Sequence, residues 1–413
     1  MVSIFTPTHE PKFLQDLFTT LKEQTYTNWE WVIVPNNGAV IPDFKDERVK
    51  VYPFEKTGFK IGELKNFACS KCKSEILIEA DHDDLLTPDC LEEVVKAFDS
   101  DQEITMVYSN FAQIDMDFKP KTWSTYYGWE FRDFDYKGHI VKEAISPPPI
   151  PSNLGRIWYA PNHVRAWRAK DYWRIGGHDV TMKISDDHDI VARNYLYGKI
   201  HHINKCLYIY RVHGKNTWLG LTKEIEDTMW DNYVKYIFLM IEKWADENKL
   251  IKLDLCGGVN PRKGYTSIDR QNADIVGDLD KKWPLKDNSV GVIYANDAVE
   301  HLKDPIHTMN EAHRVLAHGG YFMINVPSTD GQGAFCDPTH KSFWNFRSFR
   351  YYTEAGMRKF IEPECKCEFQ VMKLSNGTQY SDKVPYVFAH LIALKDGLRF
   401  HGAYDWYRER TTL

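Results

Sequence analysis

The chain has 413 residues, 43% of them hydrophobic and 27% charged, with a formal net charge of -6. That length exceeds what one hydrophobic core organises, and the composition excludes a disordered chain. Mild acidity argues against broad nucleic-acid binding, which needs clustered Lys and Arg. Aromatic residues make up 14%, including 13 Trp and 23 Tyr, whose flat faces and polar edges suit sugar rings or ordinary cores. The start, Met1-Val2-Ser3, enters a strand without a basic segment and apolar run, and no stretch approaches the roughly 20 apolar residues that span a bilayer. Eight Cys are scattered, and the pairs Cys69/Cys72 and Cys365/Cys367 lack the partner ligands of a zinc site, so a cytoplasmic protein is expected.

In chain order, residues 2–6 form a β-rich run, and Phe13, Leu14, Leu17, Phe18 and Leu21 recur at helical spacing. Residues 29–34 predict a second strand ending at the turn Pro35-Asn36-Asn37-Gly38. A helix through Leu64, Phe67 and Ala68 precedes a strand at 75–80, and Thr87-Pro88 predicts a helix start with Thr87 as N-cap. This β-α-β-α order implies a parallel sheet covered by helices. Residues 119–151 read as a long irregular, aromatic loop ending in Pro147-Pro148-Pro149. A helix from about 223 to 249 carries the apolar stripe Ile225, Met229, Tyr233, Ile237, Ile241 and Trp244. Alternation then restarts, with strands at 251–255, 266–268, 290–294 and 321–326 and a helix at 305–317. The expected architecture is α/β in two domains, 1–220 and 250–413, with a helical connector at 221–249.

The run Ile76-Leu77-Ile78-Glu79-Ala80-Asp81-His82-Asp83-Asp84 delivers two aspartates from an apolar strand into a loop. Hard divalent cations take carboxylate oxygens, and ligands gather at the carboxyl ends of parallel strands. Alone, such a run fits a solvated loop equally well.

Its context resembles the inverting family 2 glycosyltransferases of GT-A fold. Asp81-His82-Asp83-Asp84 followed by Thr87-Pro88 is similar to that family's D-x-D-D strand end, and Ile4-Phe5-Thr6-Pro7-Thr8 to its first strand. Gly176-Gly177-His178-Asp179 with Ser185-Asp186-Asp187-His188-Asp189 resembles its G-G-x-D…E-D-x-D element, and Tyr210-Arg211-Val212-His213 its Y-R-x-H segment. The resemblance implies a nucleotide-sugar donor, UDP-linked, a glycan or sugar acceptor, and a Mn²⁺ or Mg²⁺ ion held by Asp83 and His213. Thr6, Pro7, Thr8, Asn37, Lys65 and Asp81 are the implied donor contacts. Asp187 is the implied general base of an inverting displacement, with Asp186 as helix N-cap or as the acting carboxylate in its place. Asn36 and Asn37 stand where the family places an Asp pair, which leaves the nucleobase less defined. In Pro161-Asn162-His163-Val164-Arg165-Ala166-Trp167-Arg168, the residues Arg165, Trp167 and Arg168 are expected at the acceptor. Arg165 and Arg168 would share a helix face, holding an anionic group or pairing with surface carboxylates.

Leu253-Asp254-Leu255-Cys256-Gly257-Gly258-Val259 is a strand running into a glycine turn, and the next strand ends in Ile268-Asp269, a carboxylate suited to ribose hydroxyls. With Gly277-Asp278-Leu279, the segment from Asn296 to Leu302, and Arg314-Val315-Leu316 before Gly319-Gly320, the order resembles the class I S-adenosylmethionine methyltransferases. Cys256 departs from that family's first glycine. The resemblance implies S-adenosylmethionine held by Asp254, Cys256, Gly257, Gly258, Asp269, Asp278, Leu279 and Asn296. His340, in Asp337-Pro338-Thr339-His340, is the candidate base, with Asp337 orienting it or the two binding a metal; an ordinary loop histidine and capping aspartate fit the same residues. The combined expectation is a bifunctional enzyme that glycosylates a glycan and methylates a hydroxyl. Action on modified nucleobases of phage DNA, or nucleotide binding without turnover, are the alternatives.

Overall fold

Runs of β-branched and aromatic residues build two sheets in the computed structural model, which describes residues 1–125, 128–155, 163–258, 260–380 and 383–395. The chain divides into two units, Met1–Ile237 and Phe238–Leu413. Strands of the first are β1 (Val2–Thr8), β2 (Trp29–Pro35), β3 (Val49–Val51), β4 (Ile76–Glu79), β5 (Leu85–Leu86), β6 (Ile104–Ile114), β7 (Pro120–Lys121), β8 (Glu130–Tyr136), β9 (His139–Ile145), β10 (Arg165–Arg168) and β11 (Lys199–Arg211). Among the described residues they form one sheet of order β3-β2-β1-β4-β10-β6-β11-β5, with β7 and β9 on β6 and β8 on β9.

β1 is parallel to β2 and β4, as strand–helix alternation requires. The parallel sheet expected from the first hundred residues is interrupted by β10, antiparallel to both β4 and β6. The stretch read as an irregular loop instead holds the hairpin β8–β9, paired from Glu130↔Ile145 to Tyr136↔His139. Its turn is Lys137-Gly138, both at positive φ (53° and 84°), the two-residue geometry whose twist matches the flanking strands. Two helix boundaries also differ. The helix expected at Thr87 begins as Cys90–Ser100, after Asp89, to which the Thr87 hydroxyl donates at 2.8 Å. Arg165–Arg168 is strand β10, not helix.

The helix Leu14–Lys22 buries Leu14, Leu17, Phe18 and Leu21 in the first core. The helix Thr222–Glu247 begins in the first unit and ends in the second. It buries Ile225, Met229, Tyr233 and Ile237 along the first part, then Met240, Ile241 and Ala245.

The second unit continues with β12 (Ile251–Leu255), β13 (Thr266–Asp269), β14 (Ile275–Val276), β15 (Val290–Asn296), β16 (Leu316–Pro327), β17 (Phe369–Gln379) and β18 (Val384–Ala393). Their order is β14-β13-β12-β15-β16-β18-β17, a seven-stranded Rossmann-like sheet. The first five are parallel, while β18 is antiparallel to β16 and β17. The chain leaves β12 toward β13 on one side and later lays β15 on the other. Such a reversal opens a crevice at the carboxyl ends of the central strands. The helix expected to reach residue 317 stops at Val315, and Leu316 passes directly into β16. Among the described residues no helix is long and apolar enough to cross a membrane.

The helix Ile61–Lys71 approaches the turn before the second acidic stretch so closely that a Cβ on Gly62 would lie 1.9 Å from the Asp179 carbonyl oxygen. Gly62→Ala is therefore expected to destabilise the first unit by about 1–3 kcal/mol, read as a lower urea midpoint by tryptophan fluorescence.

Candidate functional site

β4 ends in Glu79, and the chain passes through Ala80 into the loop Asp81-His82-Asp83-Asp84. The end of β11 clamps that loop. The Tyr208 hydroxyl accepts from the Asp81 amide at 3.0 Å and donates to Asp84 Oδ2 at 2.8 Å. The Arg211 amide donates to Asp84 Oδ1 at 2.8 Å, and its guanidinium reaches the Asp83 carbonyl. Asp84 is thus buried and structural, while His213 Nε2 lies 2.7 Å from Asp83 Oδ2. Burial, then the carboxylates of Glu79 and Asp83, push Asp81 up to about 7. Its side chain keeps 39% of its surface exposed, so solvent moderates that push.

Behind the loop lies a buried ion network. Glu79, 1% exposed, receives Lys65 Nζ at 2.8 Å and Arg165 Nε at 2.9 Å. Arg165 also donates through Nη1 to Asp187 Oδ2 at 2.9 Å and through Nη2 to His163 Nε2 at 2.8 Å. His163 Nε2 in turn lies 3.6 Å from Asp81 Oδ2, and Lys65 lies 3.1 Å from Asp186 Oδ2. Two acidic stretches far apart in sequence therefore meet around one guanidinium. Burial opposes charge on Asp187, but Arg165 and Lys65 outweigh it and hold the carboxyl at about 2. Burial is likewise overcome at Glu79, which Arg165 and Lys65 hold well below the usual range. Burial and the facing Arg165 lower His163 to about 3, so its imidazole is neutral. Glu79, His163, Tyr208 and Arg211 were not singled out from the sequence; a lone charge inside the apolar run Ile76-Leu77-Ile78 was the available signal for Glu79.

Several expected donor and acceptor contacts are used otherwise. The Thr6 hydroxyl is fully buried, donating to the Ala80 carbonyl at 2.8 Å and accepting from Trp31 Nε1 at 2.9 Å. That of Thr8 is buried against Glu10, whereas Pro7 is half-buried and Asn37 exposed in a left-handed turn (φ 53°). Lys65 is paired with both Glu79 and Asp186. Trp167 is 0% exposed, with its ring against Phe5, Tyr172 and His178, so no acceptor reaches it. Residues three apart on a strand face opposite ways. Arg165 accordingly enters the network, while Arg168 turns to the carbonyls of Ile104 (2.8 Å), Asp101 (3.0 Å) and Phe98, closing the end of the helix Cys90–Ser100. Asp186 is not a cap: it is the first residue of the helix Asp186–Tyr197, after Ser185 at φ 58°. Pro161 and Asn162 lie outside the described residues.

In the second unit, β12 runs into Cys256 (φ 58°), Gly257 and Gly258 (φ 50°). A Cβ on Gly257 would lie 2.6 Å from Asp254 Oδ2, and one on Gly258 3.3 Å from Asp269 Oδ2. The two glycines let this cradle of backbone pass close against two carboxylates. Asp254 Oδ2 accepts from the Arg262 amide at 2.6 Å, which fixes the far side of the loop. Asn296 is held at the end of β15, its Oδ1 accepting from Asn325 and Gln379, each at 3.0 Å. Asp278 pairs with Arg270 at 3.4 Å near the surface. Leu279 is buried in the core, so its side chain does not line the cradle, and Val259 lies outside the described residues. His340 Nδ1 donates to the Ala334 carbonyl at 2.9 Å. Asp337 does not orient it by hydrogen bonding, standing 4.0 Å from Nε2 and accepting instead from the Thr339 amide at 2.7 Å and hydroxyl at 2.6 Å.

Removing Arg165 would leave Glu79 buried and one cation short. Arg165→Met is expected to cost about 3–5 kcal/mol. Lys142→Met, which breaks the exposed Lys142–Asp133 pair (2.5 Å), is expected to cost about 0–1 kcal/mol. Urea unfolding of the two variants side by side checks the contrast.

Residues 3–155 match the model of the family described as Glycosyl transferase family 2, and residues 244–324 that of the Methyltransferase domain. Hyaluronan synthase of Pasteurella multocida is 25% identical over 234 residues, covering 54% of this chain and 22% of that protein. The O-antigen biosynthesis protein RfbC of Myxococcus xanthus is 22% identical over 219 residues, covering 50% of this chain and 16% of that protein. The O-antigen biosynthesis glycosyltransferase WbnJ of Escherichia coli is 23% identical over 236 residues, covering 52% of this chain and 82% of that protein. The alignments thus span 22% or less of hyaluronan synthase and RfbC. Among solved structures, S. aureus TarS 1-349 aligns with a TM-score of 0.40 at 15% identity, covering 56% of this chain and 64% of that one. The chain joins an amino-terminal domain that matches glycosyltransferase family 2 to a carboxy-terminal domain that matches a methyltransferase family, both families of group-transfer enzymes.

Proposed function

We propose that the first unit, a GT-A domain over residues 1–220, transfers a sugar from a UDP-linked donor to a glycan hydroxyl with inversion. In the same reading residues 221–249 connect it to a domain over 250–413 that methylates a hydroxyl, that of a sugar, with S-adenosylmethionine. The observation that carries the first half is the meeting of Glu79, at the end of the strand that leads into the Asp81–Asp84 loop, and Asp187 on Arg165, with His163 linking Arg165 to Asp81. Relatives named for hyaluronan and O-antigen synthesis support a glycan acceptor over DNA. The eight cysteines, all unpaired, suit a cytoplasmic setting.

Glu79, Asp81 and His163 bring ligand atoms within 4.8 Å of one another, a buried acid–imidazole cluster of the kind that takes a divalent cation. Lys65 and Arg165 already neutralise Glu79, however, and Arg165 donates to His163 Nε2. That leaves Asp83 and His213, a carboxylate oxygen and an imidazole nitrogen 2.7 Å apart, as the residues that would hold Mn²⁺ or Mg²⁺. When bound, such an ion offsets the charge of the departing diphosphate. Asp187 takes the proton of the acceptor hydroxyl as its oxygen bonds to the anomeric carbon, and the diphosphate leaves from the opposite face with the bonding electron pair. A carboxyl held at about 2 stays ionised at any working pH. It receives the proton late, once bond formation has made the attacking oxygen acidic.

In the second unit the glycine loop between Asp254 and Asp269 would take a nucleoside whose ribose hydroxyls donate to Asp269. When bound, S-adenosylmethionine supplies a methyl group activated by its sulfonium. His340, with Nδ1 donating to Ala334, presents Nε2 to take the acceptor proton.

Asp187→Asn is expected to lower sugar transfer by at least about 10²-fold while leaving the thermal shift by UDP-sugar and Mn²⁺ unchanged; undiminished turnover removes Asp187 as base. Asp269→Ala is expected to abolish the thermal stabilisation by S-adenosylmethionine, since a ligand stabilises only the fold that binds it. A full shift in that variant contradicts the ribose contact.

A further inference from the structure

Glu300 and His301 have no part in either transfer described above, yet the fold builds a closed group around them. The short turn Val299–His301 follows β15, and the chain after β16 returns across it. The amides of Lys341 and Ser342 donate to the Glu300 carbonyl at 2.7 and 3.0 Å, and the Ser342 hydroxyl to the Val299 carbonyl at 3.0 Å. This lays His340 against the turn, its ring centroid 5.0 Å from that of His301. One ligand atom each from Glu300, His301 and His340 lies within 4.8 Å of the other two.

The Glu300 side chain is the observation that needs an explanation. It is 2% exposed, and no side chain among the described residues donates a hydrogen bond to either carboxylate oxygen; only the local amides of Ala298 and Glu300 act on it. His340 Nε2 stands 4.0 Å from Oε1, too far for a hydrogen bond and about the spacing of two ligands across a cation. A buried carboxyl is otherwise paired, bonded or neutralised, and protonation alone would still leave its O–H unmet.

Both imidazoles are prepared to accept rather than donate. His340 Nδ1 is bonded to the Ala334 carbonyl, so Nδ1 carries the hydrogen and Nε2 the lone pair. The Thr339 hydroxyl donates to Asp337 Oδ1 at 2.6 Å, so at 3.1 Å it can only accept from His301 Nδ1. His301 Nε2 is thereby left with its lone pair as well. A second group that fixes the tautomer of each imidazole is the usual setting of metal-ligating histidines.

We propose that Glu300, His301 and His340 hold a divalent transition-metal cation whose open positions take an oxygen of the methyl acceptor. Two imidazoles and one carboxylate favour Mn²⁺, Fe²⁺ or Zn²⁺ over Mg²⁺. The turn Val299–His301 follows the end of β15, which pairs with β12, the strand that runs into the glycine cradle. The acceptor role rests on reading this unit as a hydroxyl methyltransferase; cation binding does not. A cation on His340 Nε2 replaces the base role given to that residue above, with water taking the proton from an oxygen made more acidic by the metal.

The full chain carrying Asp83→Ala and His213→Ala removes the candidate cation ligands of the first unit. Titrated with Mn²⁺ by electron paramagnetic resonance and with Zn²⁺ by calorimetry, it is expected to bind one ion per chain, with Mg²⁺ at least about tenfold weaker. Adding Glu300→Gln, His301→Asn or His340→Asn is expected to weaken binding by more than about 100-fold, with the S-adenosylmethionine thermal shift retained as proof of folding. The half-exposed His301 provides a variant that leaves the buried packing of Glu300 intact. Absence of a bound ion in the two-substitution chain, or unchanged affinity in the folded ligand variants, overturns the site. In either case a retained S-adenosylmethionine shift leaves the methyltransferase reading standing, with His340 as base.

Discussion

Arg165 lies between Glu79 and Asp187, and the chemistry proposed for the first unit depends on that placement. Buried ion pairs give little net stability, because desolvation cancels most of the attraction. Their value here is positional. The planar guanidinium fixes three partners at once, Glu79, Asp187 and His163, at 2.8 to 2.9 Å. Through His163 it also reaches Asp81, at the head of the loop that ends in Asp83 and Asp84. The backbone supplies the rest: β10 enters antiparallel between β4 and β6, and its register sets Arg165 opposite Glu79. A parallel crossover at that position would point the same residue along a different direction of the sheet.

The second unit reaches a comparable result with less charge. Its strand order reverses at β12 and β15, and the carboxyl ends of those strands carry the glycine cradle, Asn296 and, one short turn later, Glu300. Glycines are needed because Asp254 and Asp269 already crowd the loop. Polar side chains around the cradle are held by backbone amides and carbonyls: Asp254 by Arg262, His340 by Ala334.

Local signals made much of this legible. An apolar run ending in D-x-D-D, or in a glycine pair, marks a strand end whose function depends on residues within a few positions. Those strand ends stand where sequence reasoning put them, and Asp83 and His213 lie 2.7 Å apart. What it missed depends on distant partners. Arg165 and Arg168 read as a helical pair because four residues carry too little periodicity to reveal a strand wedged between two others. The hydroxyl of Thr6 was expected at a ligand, but Trp31 and Ala80 claim it from neighbouring segments. Asp186 was read as a cap because it stands at a helix start, whereas Lys65, remote in sequence, binds its carboxylate. The hairpin β8–β9 was hidden in an aromatic stretch whose turn, Lys137-Gly138, was passed over. Glu300 sits in a recognised motif, yet only the returning chain at His340 shows that its carboxylate is enclosed.

With Asp187 as base and the diphosphate departing from the side of the Asp81–Asp84 loop, the proposed reaction would attack and leave on opposite faces of the anomeric carbon. Proton NMR of a UDP-α-sugar incubated with the enzyme and Mn²⁺ reads this from the anomeric coupling of the first sugar released or transferred, before mutarotation. A β-configured product is expected. An α-configured product formed first would contradict direct displacement with Asp187 as base.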